Sequence, residues 1–201
     1  MKVIGLCGGS GSGKGAVSKI FEKFNIPSID TDSVYREITS HDSECMRALV
    51  SAFGESVRND NGSLNRERMR ELVFLSPERD SNRSILNKIT HEFVLTETEN
   101  LIQKYDFEGR EAVIADVPLM FESGFDKRCD ILIAVIANDD TRISRIMKRD
   151  DISLEQAKAR IAVQISSDEL VKRVNYVVEN NKNIEDLEKD IDALYKTIFE
   201  K

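Results

Sequence analysis

Val3-Ile4-Gly5-Leu6-Cys7 runs straight into Gly8-Gly9-Ser10-Gly11-Ser12-Gly13-Lys14-Gly15, and the reading of this stretch decides the fold. The aliphatic run is short and apolar at consecutive positions, which suits a strand buried on both faces. Gly8, Gly13 and Lys14 then stand at the spacing of a phosphate-cradling P-loop, and residues 16–24 continue as a helical pattern. Glycine lets consecutive backbone N–H groups converge on phosphate oxygens, the helix N-terminus adds a positive dipole, and the lysine can bridge the outer phosphates. An ATP or GTP site is expected, built from Gly8, Gly9, Gly11, Ser12, Gly13, Lys14, Gly15 and Ala16. The plain alternative, a flexible glycine turn, explains the glycines but not a lysine at that spacing between a strand and a helix.

Outward from the loop, short aliphatic runs alternate with longer helical patterns. Residues 26–30, 112–116, 131–136 and 176–178 read as further strands. Alternation of this kind predicts an α/β protein, a three-layer P-loop NTPase fold whose parallel sheet is flanked by helices. Between the second and third strands lies a stretch too long for a simple crossover, with helical patterns at 66–75 and 87–103 and turns at Phe53-Gly54 and Asn61-Gly62. The expected organisation is a single domain over 1–201, with a nucleotide-binding core at 1–32 and 110–201. A helical acceptor-binding insertion occupies 33–109 and a lid 139–170. Ser153 with Gln156 predicts a capping box ahead of a helix at 157–164. Asn183 predicts the cap of a last helix whose Ile184, Leu187, Ile191, Leu194 and Ile198 share one face, a stripe read as core packing.

Composition narrows the function. Among 201 residues, 29 Lys and Arg against 36 Asp and Glu leave a net charge of −7, without the basic surplus that broad phosphate-backbone binding requires, so nucleic acid is not an expected partner. Cys7, Cys45 and Cys129 are an odd number with no CxxC spacing, which predicts neither a disulfide framework nor a zinc site and fits a reducing cytoplasm. His41 and His91 lack metal-ligand spacing. The most apolar stretches, 113–121 and 131–137, fall short of a bilayer span, and no signal peptide precedes the first strand. A monomer or weak oligomer is expected.

Three further groups of residues carry chemistry. Asp30 and Asp32 end the second strand at the carboxyl edge of the sheet, where period-2 spacing would point both carboxylates the same way. Asp32 is a candidate to orient a hydroxyl nucleophile and take its proton, with helix capping near Val34 as the structural alternative. Residues 112–116 read as an aliphatic strand ending in Asp116, the form of a Walker B element. Arg142, Arg145 and Arg149 fall on one helix face, a phosphate-contacting lid in which Arg145 and Arg149 are the favoured residues. The alternative is pairing with Asp139, Asp140, Asp150 or Asp151. One position departs from the P-loop pattern: Gly15 follows Lys14 where a Ser or Thr would ligate Mg²⁺. The ion is then held through water, with Asp116 as candidate, or metal-assisted transfer is weakened.

With these residues in view, the chain resembles the dephospho-coenzyme A kinases nearly end to end. The resemblance rests on Gly5-Leu6-Cys7-Gly8-Gly9 with Gly11-Ser12-Gly13-Lys14, on Pro27-Ser28-Ile29-Asp30-Thr31-Asp32 with Arg36, and on Gly62-Ser63-Leu64-Asn65-Arg66. It continues through Asp116-Val117-Pro118-Leu119-Met120-Phe121-Glu122-Ser123-Gly124, Cys129-Asp130, Arg145, Arg149-Asp150, Gln164 and Asn180. It implies ATP- and Mg²⁺-dependent phosphorylation of the ribose 3′-hydroxyl of dephospho-coenzyme A, giving coenzyme A and ADP. It also implies catalytic roles for Lys14, Asp32, Arg145 and Arg149, with Asn180 near the adenine of ATP. Gly15, Cys7, His91-Glu92, Leu170 and Val174-Asn175 depart from the family's usual residues. A kinase for another small hydroxyl acceptor such as a nucleoside, or a nucleotide-binding paralogue with weakened catalysis, are the competing readings.

Overall fold

The computed structural model describes residues 1–118 and 120–200; Leu119, quoted above in the family resemblance, and Lys201 lie outside the described residues. The chain divides into two compact units, Met1–Ser28 with Tyr105–Lys201, and Ile29–Lys104.

The strands are β1 (Lys2–Cys7), β2 (Ser28–Asp30), β3 (Ala112–Asp116), β4 (Ile131–Ile136) and β5 (Tyr176–Glu179), in the order β2-β3-β1-β4-β5. β1 is central and runs parallel to β3 on one side, with Ile4 opposite Ile114, and to β4 on the other, with Leu6 opposite Ile133. β5 extends the sheet parallel to β4. The chain passes from one side of β1 to the other between β3 and β4, so the carboxyl end of β1 lies at the topological switch where open α/β sheets bind ligands.

Alternate residues of β1 face opposite sides of the sheet. Ile4 and Leu6 meet Val17, Ile20 and Phe21 of α1 (Lys14–Glu22) and Leu187, Ile191 and Ile198 of α9 (Ile184–Phe199) in one buried core. Each such side chain contributes roughly 1.5–3 kcal/mol on burial, which is what holds the helix behind the glycine loop against the sheet. On the other face a Cβ at Gly5 would come within 2.7 Å of Cys129 Sγ and Leu132 Cδ2, so only glycine fits there without a shift. The last helix is capped by Asn183, whose side chain accepts from the Asp186 N–H; of its apolar stripe Leu187, Ile191 and Ile198 are core and Leu194 packs against it, whereas Ile184, in the first turn, is exposed.

The second unit has its own core of Cys45, Met46, Leu49, Val57, Leu64, Met69 and Val73. It contains α2 (Thr31–Ile38), α3 (Glu44–Phe53) and α4 (Arg66–Arg70). The pattern at 66–75 is not one α-helix: after Arg70 the backbone widens into a π-helical turn over Glu71–Leu75. The helix expected at 87–103 is α5 (Arg79–Phe107), longer at both ends; at its start Asn82 Nδ2 donates to the Leu72 carbonyl and supports the earlier beginning.

In the first unit, α6 (Asp139–Asp150) follows β4, then α7 (Leu154–Ala162) and the short α8 (Ser167–Val171). The Ser153–Gln156 capping box is present, each side chain accepting from the other's backbone N–H, and it starts α7 at Leu154 rather than at 157.

Candidate active site

The loop after β1 is shaped by what its carbonyl groups accept. Gly8 O takes Lys14 Nζ at 2.9 Å, and Gly9 O takes the Ser12 N–H at 3.1 Å. Ser10 O accepts from Arg142 Nε at 3.1 Å, and Gly11 O from Arg145 Nη1 at 3.3 Å. Ser12 O accepts from Asn180 Nδ2 at 2.9 Å and from Arg145 Nη1 at 3.3 Å, and Gly13 O takes the Ala16 and Val17 N–H groups that begin α1. C=O and N–H of a trans peptide point in opposite directions. With the Ser10 and Ser12 carbonyls drawn to side chains, the N–H groups of Gly11 and Gly13 are turned the other way. A guanidinium on a carbonyl also polarises the N–H of the same peptide, making it a stronger donor to an anion.

Glycine is required at position 13 for two reasons. Its φ of +97° lies in the left-handed region, and a Cβ there would come within 2.0 Å of Asn180 Nδ2. Asn180 is 5 % exposed and also accepts from Arg145 Nη2 at 3.3 Å. Ser12 Oγ is buried in the same cradle with no hydrogen-bond partner. An orphaned hydroxyl of this kind costs about 1–3 kcal/mol, so the loop fits an incoming polar group better than it fits its own surroundings.

Lys14 Nζ stands 3.8 Å from Asp116 Oδ1, so the lysine and the acid at the end of β3 are brought together as a half-buried ion pair. Gly15 is exposed, and a Cβ there would meet nothing within 4 Å. Among the described residues no group of three or more His, Cys, Asp or Glu could hold a metal ion. A divalent ion at this loop would depend on nucleotide oxygens and water for its coordination, which the donors present, Asp116 foremost, allow.

The three arginines of α6 do not share one anion. Arg142 is buried and bonded to Asp139 at 3.1 Å as well as to Ser10. Arg145 lies behind the loop on its carbonyls, and only Arg149 is largely exposed, with Nη2 on Ser10 Oγ at 3.2 Å. Asp150 accepts from Arg149 at 2.8 and 2.9 Å and also from Arg160, and the Arg149 hydrogen bond foremost holds its carboxyl down at about 2. The one-face spacing was correct, but helical phase alone does not say which residue of a stripe is buried.

The acids at the end of β2 belong to the second unit and are arranged differently from the expectation. The strand stops at Asp30, which is the N-cap of α2: Oδ1 accepts from the Asp32 N–H at 3.0 Å and Oδ2 from Ser33 Oγ at 2.6 Å. Strand periodicity therefore does not govern Asp32, which lies in the first helical turn with its side chain exposed. The capping role weighed for Asp32 falls to Asp30. Arg36 Nε donates to the Asp32 carbonyl at 3.2 Å, and its guanidinium stands 3.6 Å from Asp30.

Burial sets the thiols. Cys7, the last residue of β1, and Cys129, whose sulfur faces Gly5 of that strand, are pushed up to about 12 by burial and then by a neighbouring thiol or carboxylate, and Cys45 to about 11 by burial.

A family model described as dephospho-CoA kinase matches residues 2–186. The chain belongs to the dephospho-CoA kinase family. A dephospho-CoA kinase of Bacillus cereus is 37 % identical over 194 residues, covering 96 % of each chain. One of Fusobacterium nucleatum is 36 % identical over 196 residues, covering 98 % of each. The solved dephospho-CoA kinase of Campylobacter jejuni shares the fold with a TM-score of 0.68 over 98 % of this chain and 97 % of that one, at 22 % identity. The protein is thus a kinase of the final step of CoA synthesis. The structure brings Arg142, expected on a phosphate-contacting lid, to the loop together with Gln164, to which sequence reasoning assigned no role. Both close on Ser10, Arg142 from within α6 and Gln164 from just beyond the end of α7, and a polar residue at such positions is too common a signal to be read alone.

Proposed function

We propose that this chain transfers the γ-phosphoryl group of ATP to the ribose 3′-hydroxyl of dephospho-coenzyme A. The reading is carried by the loop from Gly8 to Gly13, in which every carbonyl is engaged by protein and the N–H groups of Gly11 and Gly13 are turned away from those partners. The first N–H groups of α1 extend that donor set, and the helix dipole favours the anion they would hold. Lys14 leaves Gly8 O to bridge the outer phosphates. Arg149, exposed and on the loop's apex, neutralises charge on the transferring group. Arg145 acts from behind the loop by fixing its carbonyls, and Asn180, which follows β5 and donates to the Ser12 carbonyl, lies near the adenine of ATP.

In the reaction the 3′-oxygen attacks the γ-phosphorus, the bond from that phosphorus to the β,γ-bridging oxygen breaks, and ADP leaves with the electron pair. The hydroxyl proton passes to the Asp32 carboxylate, an exposed acid in the first turn of α2 with its backbone braced by Asp30 and Arg36. Mg²⁺, when bound, would supply charge neutralisation on the phosphates, and Asp116 would hold it through water in place of the hydroxyl that Gly15 lacks. Residues 1–32 and 110–201 form the nucleotide-binding part, 33–109 receives the acceptor, and 139–170 act as lid. Three free thiols held protonated by burial support a reducing, cytoplasmic setting.

Purified protein incubated with ATP, Mg²⁺ and dephospho-coenzyme A should release ADP in proportion to coenzyme A formed. A panel of nucleosides should give none. ADP release with a nucleoside but not with dephospho-coenzyme A, or nucleotide binding without any turnover, would overturn the assignment.

A further inference from the structure

Ser10 is gripped at both of its main-chain groups by two side chains that are bonded to each other. Gln164 Oε1 accepts from the Ser10 N–H at 3.0 Å and from Arg142 Nη2 at 2.7 Å, while Arg142 Nε donates to Ser10 O at 3.1 Å. The third arginine nitrogen, Nη1, is fixed on Asp139. A planar guanidinium whose three nitrogens have three separate partners has no freedom to turn. Both partners of Gln164 Oε1 are donors, so the amide must present its oxygen.

The loop's sequence makes room for this pair. A Cβ on Gly9 would come within 2.4 Å of Arg142 Nη2 and 2.8 Å of Gln164 Oε1. Gly9 has no positive φ to justify it, so the space for the Arg142–Gln164 pair is the physical reason a side chain is absent there. The pair also acts where the backbone is softest. Ser10–Gly11 is the central peptide of the turn closed by the Ser12 N–H on Gly9 O, and Gly11 has φ of +79°. A turn peptide followed by a glycine rotates at lower cost than one between two residues with side chains, unless something holds it. Rotation would exchange the directions of Ser10 O and the Gly11 N–H.

We propose that Arg142 and Gln164 are positioning residues that lock the Ser10–Gly11 peptide so that the Gly11 N–H faces the phosphates of the nucleotide. The pair touches no substrate; it acts through the loop apex, and the inference rests on the loop being the ATP site. Because Gln164 lies just beyond α7, the same contact ties the end of that helix to the apex. A loop held before the nucleotide arrives loses less freedom on binding, which raises affinity for phosphate-bearing ligands alone.

The test compares wild type, Arg142→Lys, Gln164→Leu and the double variant. Calorimetry measures ADP and adenosine affinity, and steady-state kinetics measure KM for ATP and for dephospho-coenzyme A. Each single change should raise Kd for ADP and KM for ATP about tenfold, the effect of losing a charge-assisted hydrogen bond, with adenosine affinity and KM for dephospho-coenzyme A unchanged. The double variant should be no weaker than about tenfold, because either change alone undoes the lock. Gln164→Leu, at a half-exposed position, carries the test if Arg142→Lys, at a buried one, does not fold. Unchanged ADP affinity, an equal fall for adenosine and ADP, or a hundredfold loss in the double variant would overturn the lock while leaving the ATP site standing. A wild type that releases no heat with ADP would overturn both.

Discussion

Asn180, the residue that follows β5, donates from Nδ2 to the main-chain oxygen of Ser12 at 2.9 Å, and the space its amide fills is the space a side chain at Gly13 would need. The end of the edge strand thereby sets the conformation of the loop after the central strand. Two far-separated parts of the sequence constrain one another, since any residue but glycine at 13 would displace Asn180.

Asn180→Ala removes one donor from Ser12 O, leaves Arg145 as its remaining partner and takes away an acceptor of Arg145. The expected loss is about 1–3 kcal/mol, seen as a melting temperature several degrees lower. Thermal unfolding followed by circular dichroism checks this, and an unaltered melting temperature would remove Asn180 from the support of the loop.

Gly15→Ser places a hydroxyl in open space at the start of α1, where nothing within 4 Å opposes a Cβ. With a direct ligand added, the Mg²⁺ concentration giving half-maximal turnover should fall severalfold with no loss of fold. A titration of activity against Mg²⁺ superimposable on that of the wild type would show that the missing hydroxyl is irrelevant to metal use.

Asp32→Asn keeps the shape of the first turn of α2 and removes the proton acceptor. Turnover should fall by about 10²–10⁴ while ATP affinity is nearly kept. If ATP binding weakens and kcat does not, Asp32 is structural and the proton leaves by another route.

The Cys45 thiol titrates near 11 in the folded protein against an ordinary value of 9.0, because burial disfavours its thiolate. Above pH 9 the unfolded chain gives up that proton and the folded chain keeps it, so raising the pH toward 11 favours unfolding; below pH 9 the group has no effect. Melting temperature should drop between pH 9 and 10.5, and the drop should be smaller in Cys45→Ala. Parallel drops in the two proteins would show that Cys45 does not contribute.

The strands at 112–116 and 131–136 could be read to the residue because an aliphatic run buried on both faces has no competing interpretation once the glycine loop precedes it. The capping box at Ser153 and the cap at Asn183 were legible because capping is local chemistry, decided within four residues. Asp30 and Asp32 were misread as a strand pair for a related reason: Asp30 can end a strand or cap a helix, and the choice depends on where α2 begins. The π-helical turn at Glu71–Leu75 had no sequence signal, since its apolar residues fit α-helical spacing equally well.

Local order therefore settled the glycine loop, the strands and the caps, because backbone freedom and short-range hydrogen bonding depend on neighbours in the chain. Tertiary structure alone decided that Arg142 is buried on Ser10 while Arg149 stays in solvent, and that Gln164 and Asn180 meet the loop. Those contacts join residues more than a hundred positions apart, and only the packing of α6, the end of α7 and β5 around the end of β1 brings these side chains within reach of the loop's carbonyls and of the Ser10 N–H.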